Sequence, residues 1–444
     1  AAPAATLPLA GAGVDASPGV VQVLPPAEDG EVTVGELAPA VQTPSFPACD
    51  DLQDGAMLRI GEITCRVQKP LGMGSFGAVW AADEVGGRAL AIKEIICGSQ
   101  ADLLNALFEG HLLRTVGGRP GAGGTPAEAA AEAAGTAAEA PPSPASAWRL
   151  PTLVACETRQ LAPEQWRIRL AMTRIYGEPL DSFLQGQQER LQRQPPTAWP
   201  ANDFQAACRF ARELLLQLAP AFVEIAAVAF HRDVNAHNIL IDRAQEQVPQ
   251  YGLVDFGLAV DVTCWQRDDD AAAAGANRPS RVGQDGACTW HHLDVGGDCR
   301  YWPVSAWVQF LFGWTELEAH PPWRFEYRAQ LDLHSLGLTA LQVLVEMLPP
   351  LDAVPMRGEQ EGVPGLAAAM LALQRRWVQY WSAVAPLHAR LMDTFHHGGD
   401  WDTLKTECRD AAVDGAVAEL LQGLRAAAAG AAEACARRPD DPDA

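Results

Sequence analysis

No apolar run in the sequence reaches the roughly 18 residues that a membrane-spanning helix needs. The nearest, Leu214 to Phe230, is broken by Gln217, Pro220 and Glu224, so no membrane-spanning segment is expected. Basic residues are in deficit: 33 Lys and Arg stand against 55 Asp and Glu, a net charge of −22. That balance excludes nucleic acid as a partner, because affinity for it comes mostly from Lys and Arg on phosphates. It also argues against docking on anionic membranes. A basic protein partner fits the sign, and a solvated acidic surface accounts for it equally. There is no C-x-x-C pair and no N-x-[ST] sequon, and ten cysteines are scattered over 444 residues. This is too sparse for a disulfide scaffold, so reduced thiols and a cytoplasmic rather than exported protein are expected. The chain opens on Ala1 with neither Met nor a positively charged apolar leader, which leaves a processed N-terminus open and the compartment unassigned.

What is present supports a large core, since 48% of the residues are hydrophobic. Residues 1–55 are rich in Ala, Pro, Gly and Val without a sustained period and read as an extended or disordered tail. From Met57 the character changes. Two β-type runs, Leu71–Ala82 and Arg88–Ile96, flank Gly86-Gly87, a hairpin signal. A helical pattern over Ala101–Val116 carries Leu103, Leu104, Leu107, Leu112 and Leu113. Residues 117–147 are almost pure Gly, Ala, Pro and Glu, a low-complexity insertion. A strand pattern returns around Trp166–Ile175, and a polar Gln-rich stretch, 185–200, precedes an amphipathic helix over Asn202–Ala227. Two short strand-like runs follow Phe230, then an irregular segment to about Arg324, then mainly helices. Strands first and helices later imply an α+β chain in two lobes: a β-rich part, 56–175, with one main helix, and a helical part, 176–430, before a tail, 431–444.

Four segments carry chemistry. Leu71-Gly72-Met73-Gly74-Ser75-Phe76-Gly77-Ala78-Val79 is a G-x-G-x-x-G-x-V pattern between strands, where glycines let backbone N–H groups approach phosphate oxygens. A dinucleotide-binding loop would be followed by a helix; here a strand follows. Leu90-Ala91-Ile92-Lys93 lies on the strand returning from that loop, which brings the Lys93 ammonium toward any phosphate held there. Glu109, sixteen positions on in the helical pattern, is suited to pair with Lys93. In Phe230-His231-Arg232-Asp233-Val234-Asn235-Ala236-His237-Asn238-Ile239-Leu240-Ile241, Asp233 can accept a hydroxyl proton while Asn238 offers an amide oxygen to a hard cation. Leu253-Val254-Asp255-Phe256-Gly257 adds a carboxylate at a strand end. Such oxygen donors suit a metal shared with phosphates.

Taken in order, these segments resemble the eukaryotic protein kinase superfamily, over about residues 57–350. Leu331-Asp332-Leu333-His334-Ser335-Leu336-Gly337 resembles the central helix of that family's larger lobe, whose Asp braces the catalytic loop. The resemblance implies an enzyme, an ATP- and Mg²⁺-dependent protein kinase acting on Ser or Thr rather than Tyr, and a monomer. Lys93 would hold the α- and β-phosphates, Glu109 would orient Lys93, and Asn238 and Asp255 would hold Mg²⁺. Asp233 would take the acceptor's proton. Leu71, Gly72, Gly74 and Gly77 would cover the nucleotide; Val79, Ala91 and Leu240 would sandwich adenine. Met172, Thr173, Arg174 and Ile175 match the hinge whose backbone bonds adenine.

The chain also departs from the pattern. Asn235 stands where Ser/Thr kinases have Lys, Asp298 stands where a Thr usually follows Gly297, and Pro303-Val304-Ser305 replaces A-P-E. An acid at 298 would repel Asp233 and raise its pKa unless Arg300 or Asn235 compensates, and the Glu–Arg pair behind the A-P-E loop is lost or rebuilt. None of these positions holds ATP or Mg²⁺, so they imply altered acceptor recognition. A nucleotide-binding scaffold without turnover and a small-molecule phosphotransferase are the rival readings. The segment 255–305 is long for a loop. Its Cys288, His291 and His292, with Cys264 and Cys299, lack complete zinc spacing and read as part of a polar insertion, with Trp265 and Trp290 anchoring it. Arg232 is suited to pair with a phosphate on Thr263, Ser280 or Thr289; the favoured expectation is that Asp298 supplies a constitutive charge instead.

Overall fold

The computed structural model describes residues 52–74, 77–117, 149–193, 200–243, 248–261, 295–353, 364–412 and 416–436. Most of the expected N-terminal tail and insertion lie outside the described residues. So do the acidic and Cys/His-containing part of the long segment, with its two tryptophans and three candidate phosphorylation residues.

The fold is mixed α+β, with a β-sheet N-terminal part and a mostly helical C-terminal part. Strands β1 (Met57–Ile60), β2 (Ile63–Gly74), β3 (Gly77–Glu84), β4 (Ala89–Cys97), β5 (Leu153–Ala162) and β6 (Gln165–Thr173) form one antiparallel sheet in the order β1-β2-β3-β4-β6-β5. The run Leu71–Ala82 is therefore two strands rather than one. The glycine-rich stretch is itself the hairpin, with Gly74 opposite Gly77. Gly77 has φ +133°, and a Cβ there would stand 2.0 Å from the Glu94 carbonyl oxygen on β4, so only glycine fits.

Alternation along β4 divides its side chains between two cores. Leu90 and Ile92 join an outer cluster with Leu58, Ile60, Cys65, Val67, Ala82 and Ala171. Ala91, Ile95 and Cys97 face the main core beneath the sheet. Lys93 shares their parity and is buried with them. Helix α1 (Gln100–Gly117) turns its Ala106, Leu112 and Leu113 stripe to the same core, with Glu109 on that stripe.

The C-terminal part begins with β7 (Glu178–Pro179) and α2 (Leu180–Arg193), so much of the polar stretch expected from residue 185 is helical. It buries Leu180, Phe183, Leu184 and Leu191 only. Helix α3 (Ala201–Ile225) leads into β8 (Ala229–Phe230), and β9 (Ile239–Asp242) pairs with both β7 and β10 (Gln250–Leu253). Strand β11 (Val260–Asp261) pairs back on β8. After a 3₁₀ turn, Cys299–Tyr301, come α4 (Val304–Phe312), α5 (Trp314–Ala319), α6 (Pro321–Ala329), α7 (Leu331–Glu346), α8 (Pro364–His397), α9 (Trp401–Ala412) and α10 (Ala416–Ala436). The last helix runs past the expected boundary at 430. Helix α7 packs on α3 and carries Asp332, buried, in its first turn. Among the described residues the cysteines are free and no helix is long and apolar enough to cross a membrane.

Candidate active site

Where the sheet meets the helical part, one ammonium serves two carboxylates. Lys93 Nζ donates to Glu109 Oε1 and Oε2 at 2.8 and 2.9 Å and to Asp255 Oδ1 at 2.7 Å. Burial alone would pull the Lys93 ammonium down, but the two carboxylates outweigh it and hold the group above its usual range. Asp255 follows the complementary logic. Burial pushes its carboxyl up, and Lys93 with the Gly257 N–H more than offsets this, leaving it below the ordinary range.

Asp233 sits on the loop between β8 and β9, and its carboxylate accepts three hydrogen bonds. Asn235 Nδ2 and the backbone N–H of Asp298 donate to Oδ1, at 2.8 and 2.9 Å. Asn238 Nδ2 donates to Oδ2 at 2.8 Å. Asn235 is fixed in turn, its Oδ1 accepting from the N–H groups of His237 and Asn238 at 2.8 and 3.0 Å. Burial pushes the Asp233 carboxyl above its ordinary value; the Asp298 N–H and Asn235 pull it back in part, while the Asp298 and Asp255 carboxylates push it up, so the repulsion expected from an acid at 298 is present.

The loop has an internal frame. His231 is fully buried and stands edge-on to Phe256 at 4.7 Å between centroids. Its Nε2 lies 3.1 Å from the Val254 carbonyl and its Nδ1 accepts from the Asp233 N–H at 3.4 Å, which together select the tautomer protonated on Nε2. Arg232 and Asp255 both have left-handed backbones, φ +67° and +63°, uncommon for residues with a side chain. The Asp332 carboxylate accepts from the N–H groups of His231 and Arg232.

The remaining residues expected to meet a nucleotide lie on the sheet, on β9 and just beyond β6. Val79 lies opposite Lys93, Ala91 opposite Met172, and Leu240 opposite Gly252. Leu71 is exposed at the end of the sheet, and Gly72 lies opposite Val79. At the hinge the Thr173 and Arg174 N–H groups are taken by the carbonyls of Thr152 and Ala89, whereas among the described residues that of Ile175 meets no acceptor.

Three pairings surround the loop on the acceptor side, and of their residues the sequence points only to Arg300 as a partner for Asp298. The Asp298 carboxylate turns away from Asp233 and is clasped by Arg300, whose Nη2 donates to Oδ2 at 2.6 Å and Nε to Oδ1 at 2.9 Å. His388, from α8, meets the same Oδ1 at 3.2 Å. Behind this loop, Glu326 on α6 accepts from the Ser305 N–H at the start of α4 and pairs with Arg425 of α10, both at 3.1 Å. A Glu–Arg pair thus stands behind the loop that lacks A-P-E, assembled from elements without a local motif. The loop's lip carries a third pair, exposed His237 with Asp181 at 3.0 Å.

The donor set suits a hard divalent cation. Among the described residues no donor meets Asn238 Oδ1 or Asp255 Oδ2, so an amide oxygen and a carboxylate oxygen remain unspent. Glu109, Asp233 and Asp255 also outnumber Lys93 in charge at this point, an imbalance that a cation relieves. Among the described residues, this site included, no group of three or more His, Cys, Asp or Glu could hold a metal ion, so the candidate ligands are Asp255 and the amide of Asn238 alone.

Residues 127–261 match the APH family, described as a phosphotransferase enzyme family. The matched span contains Asp233, Asn238 and Asp255 and stops short of Lys93 and Glu109. No curated protein matches the chain. Among solved structures, one described as vaccinia related kinase 3 is similar at 15% identity, covering 69% of this chain and 74% of that one, with a TM-score of 0.36.

Proposed function

We propose that this chain, whose fold is that of a kinase-like phosphotransferase, transfers the γ-phosphoryl group of ATP to a protein hydroxyl, Ser or Thr rather than Tyr. The observation that carries the reading is the triad of contacts that Lys93 makes with Glu109 and Asp255, set beside an Asp233 held by three donors. Magnesium-ATP, when bound, supplies the transferable phosphoryl group and spreads its charge over the metal.

The residues of the chain then have separable tasks. Lys93 binds phosphate oxygens, and Glu109 keeps its ammonium directed while it does so. Asn238 and Asp255 would hold a magnesium ion, which would neutralise phosphate charge. Asp233 orients the acceptor O–H and takes its proton as the new O–P bond forms and the bond to the β-phosphate breaks. Because Oδ1 already accepts two donors and Oδ2 one, the proton is assigned to Oδ2. Most of the acceleration in such a site comes from positioning and charge neutralisation. Asn235 brings no positive charge to the loop, so phosphate neutralisation rests on Lys93 and the cation.

The match to a phosphotransferase family is met equally by a second reading, in which the acceptor is a small hydroxyl compound. A radiolabelled-ATP assay separates the two. Label on generic Ser/Thr-containing proteins but not on free sugars supports the protein acceptor, and the reverse result supports the small one. Label on neither, with nucleotide still bound, would point to a scaffold without turnover.

A further inference from the structure

We infer that His388, 155 residues beyond Asp233 on α8, is a positioning residue for the catalytic carboxylate, acting through Asp298. The inference rests on the reading of Asp233 as the base.

The geometry forms a short chain of contacts. Asp233 Oδ1 takes the Asp298 backbone N–H at 2.9 Å. The Asp298 side chain is held separately, by four groups around its carboxylate. The carboxylate accepts from the Arg300 backbone N–H at 3.0 Å, closing the 3₁₀ turn, and from Arg300 Nε and Nη2, and its Oδ1 lies against His388 Nδ1 at 3.2 Å, a pair that is ionic when the imidazole is protonated. His388 is the one partner of the four that comes from another element. Without it the turn would cap itself but would not be anchored to the body of the protein through its acid.

The rest of α8 is built around the same point. Tyr380 donates its hydroxyl to the Arg300 carbonyl at 2.7 Å. The Arg300 guanidinium lies over Trp381, 5.0 Å from the ring centroid, and Tyr301 meets the edge of the same ring at 5.7 Å. Gly297 leaves no slack on the other side, with φ +89° and a notional Cβ only 2.4 Å from the Arg232 carbonyl oxygen. The turn is pinned between the catalytic loop and α8, and a loss on the α8 side frees its Asp298 amide. The acid at 298 is thus committed to Arg300 and His388, and the substitution of Thr by Asp is tied to the residue at 388.

The test compares the full chain with His388→Ala and His388→Asn, the latter keeping a polar nitrogen near the Nδ1 position. Expected for His388→Ala is a fall in kcat of about tenfold or more with nucleotide KM within about twofold, the signature of lost positioning. Amide hydrogen exchange in the peptide containing Asp298 should be faster by about tenfold. His388→Asn should restore both. Unchanged exchange and kcat in His388→Ala, or failure of a normally folded His388→Asn to restore them, overturns the inference. Wild-type protein without turnover overturns the functional reading instead, and the exchange comparison then decides the contact by itself.

Discussion

The carboxylate of Asp332 reaches back across a hundred residues of chain to the backbone of His231, accepting its N–H at 2.7 Å and that of the next residue at 2.9 Å. Both donors are buried, and Arg232 is held there with φ +67°. Replacing Asp332 by Ala leaves both N–H groups without their acceptor, at a cost of about 1–3 kcal/mol for each. Urea unfolding should show a lower midpoint with an unchanged m-value. A change within about 0.5 kcal/mol would mean that the loop holds its shape without the brace.

Asp233→Asn keeps the side chain's size and removes the proton acceptor. Turnover should fall by about 10²–10⁴-fold, the range for loss of a general base, while Mg-ATP still stabilises the variant. Equal turnover in the two proteins removes Asp233 from the chemistry.

Ligand stabilisation is the direct check on the nucleotide site. Mg-ATP at a hundredfold excess over Kd should add about 2.7 kcal/mol to stability. Lys93→Met should shrink the thermal shift, because Glu109 and Asp255 then face bound phosphate without the ammonium between them. A full-sized shift in that variant, or none in the wild type, contradicts the assignment.

Burial sets the pH behaviour of Asp233, whose carboxyl lies above the ordinary 3.8. A base works only when deprotonated, so kcat should fall on acidification at a higher pH than an ordinary aspartate would give. The same shift makes the group unfavourable for folding at neutral pH. That handicap is relieved as pH drops through the raised value, so activity and this contribution to stability move in opposite directions. A kcat profile flat down to the ordinary aspartate range rules this out.

How much of this was legible in the sequence depended on whether the cause was local. Glycine spacing, the parity of Lys93 on its strand and the stripe bearing Glu109 are local, and those segments carried enough signal to pair Lys93 with Glu109. Strand β5 was missed because its residues are half-buried and then exposed, with no alternating buried face to mark it. Helix α2 was read as polar because four buried residues are a thin stripe among glutamines and charges. His388, Glu326 and Arg425 were invisible for another reason. Each is an ordinary helix residue, and only packing of α6, α8 and α10 brings it to the acceptor loop.

The position of α8 also orders events during synthesis. At the usual pace of translation, the ribosome reaches residue 388 on the order of ten seconds after residue 233. In that interval a nascent chain has its catalytic loop but neither His388 nor Tyr380 to hold the Asp298 turn, and Arg425 comes later still. A chain that has not yet reached α8 would therefore lack the contacts of Tyr380 and Trp381 that hold the Asp298 turn.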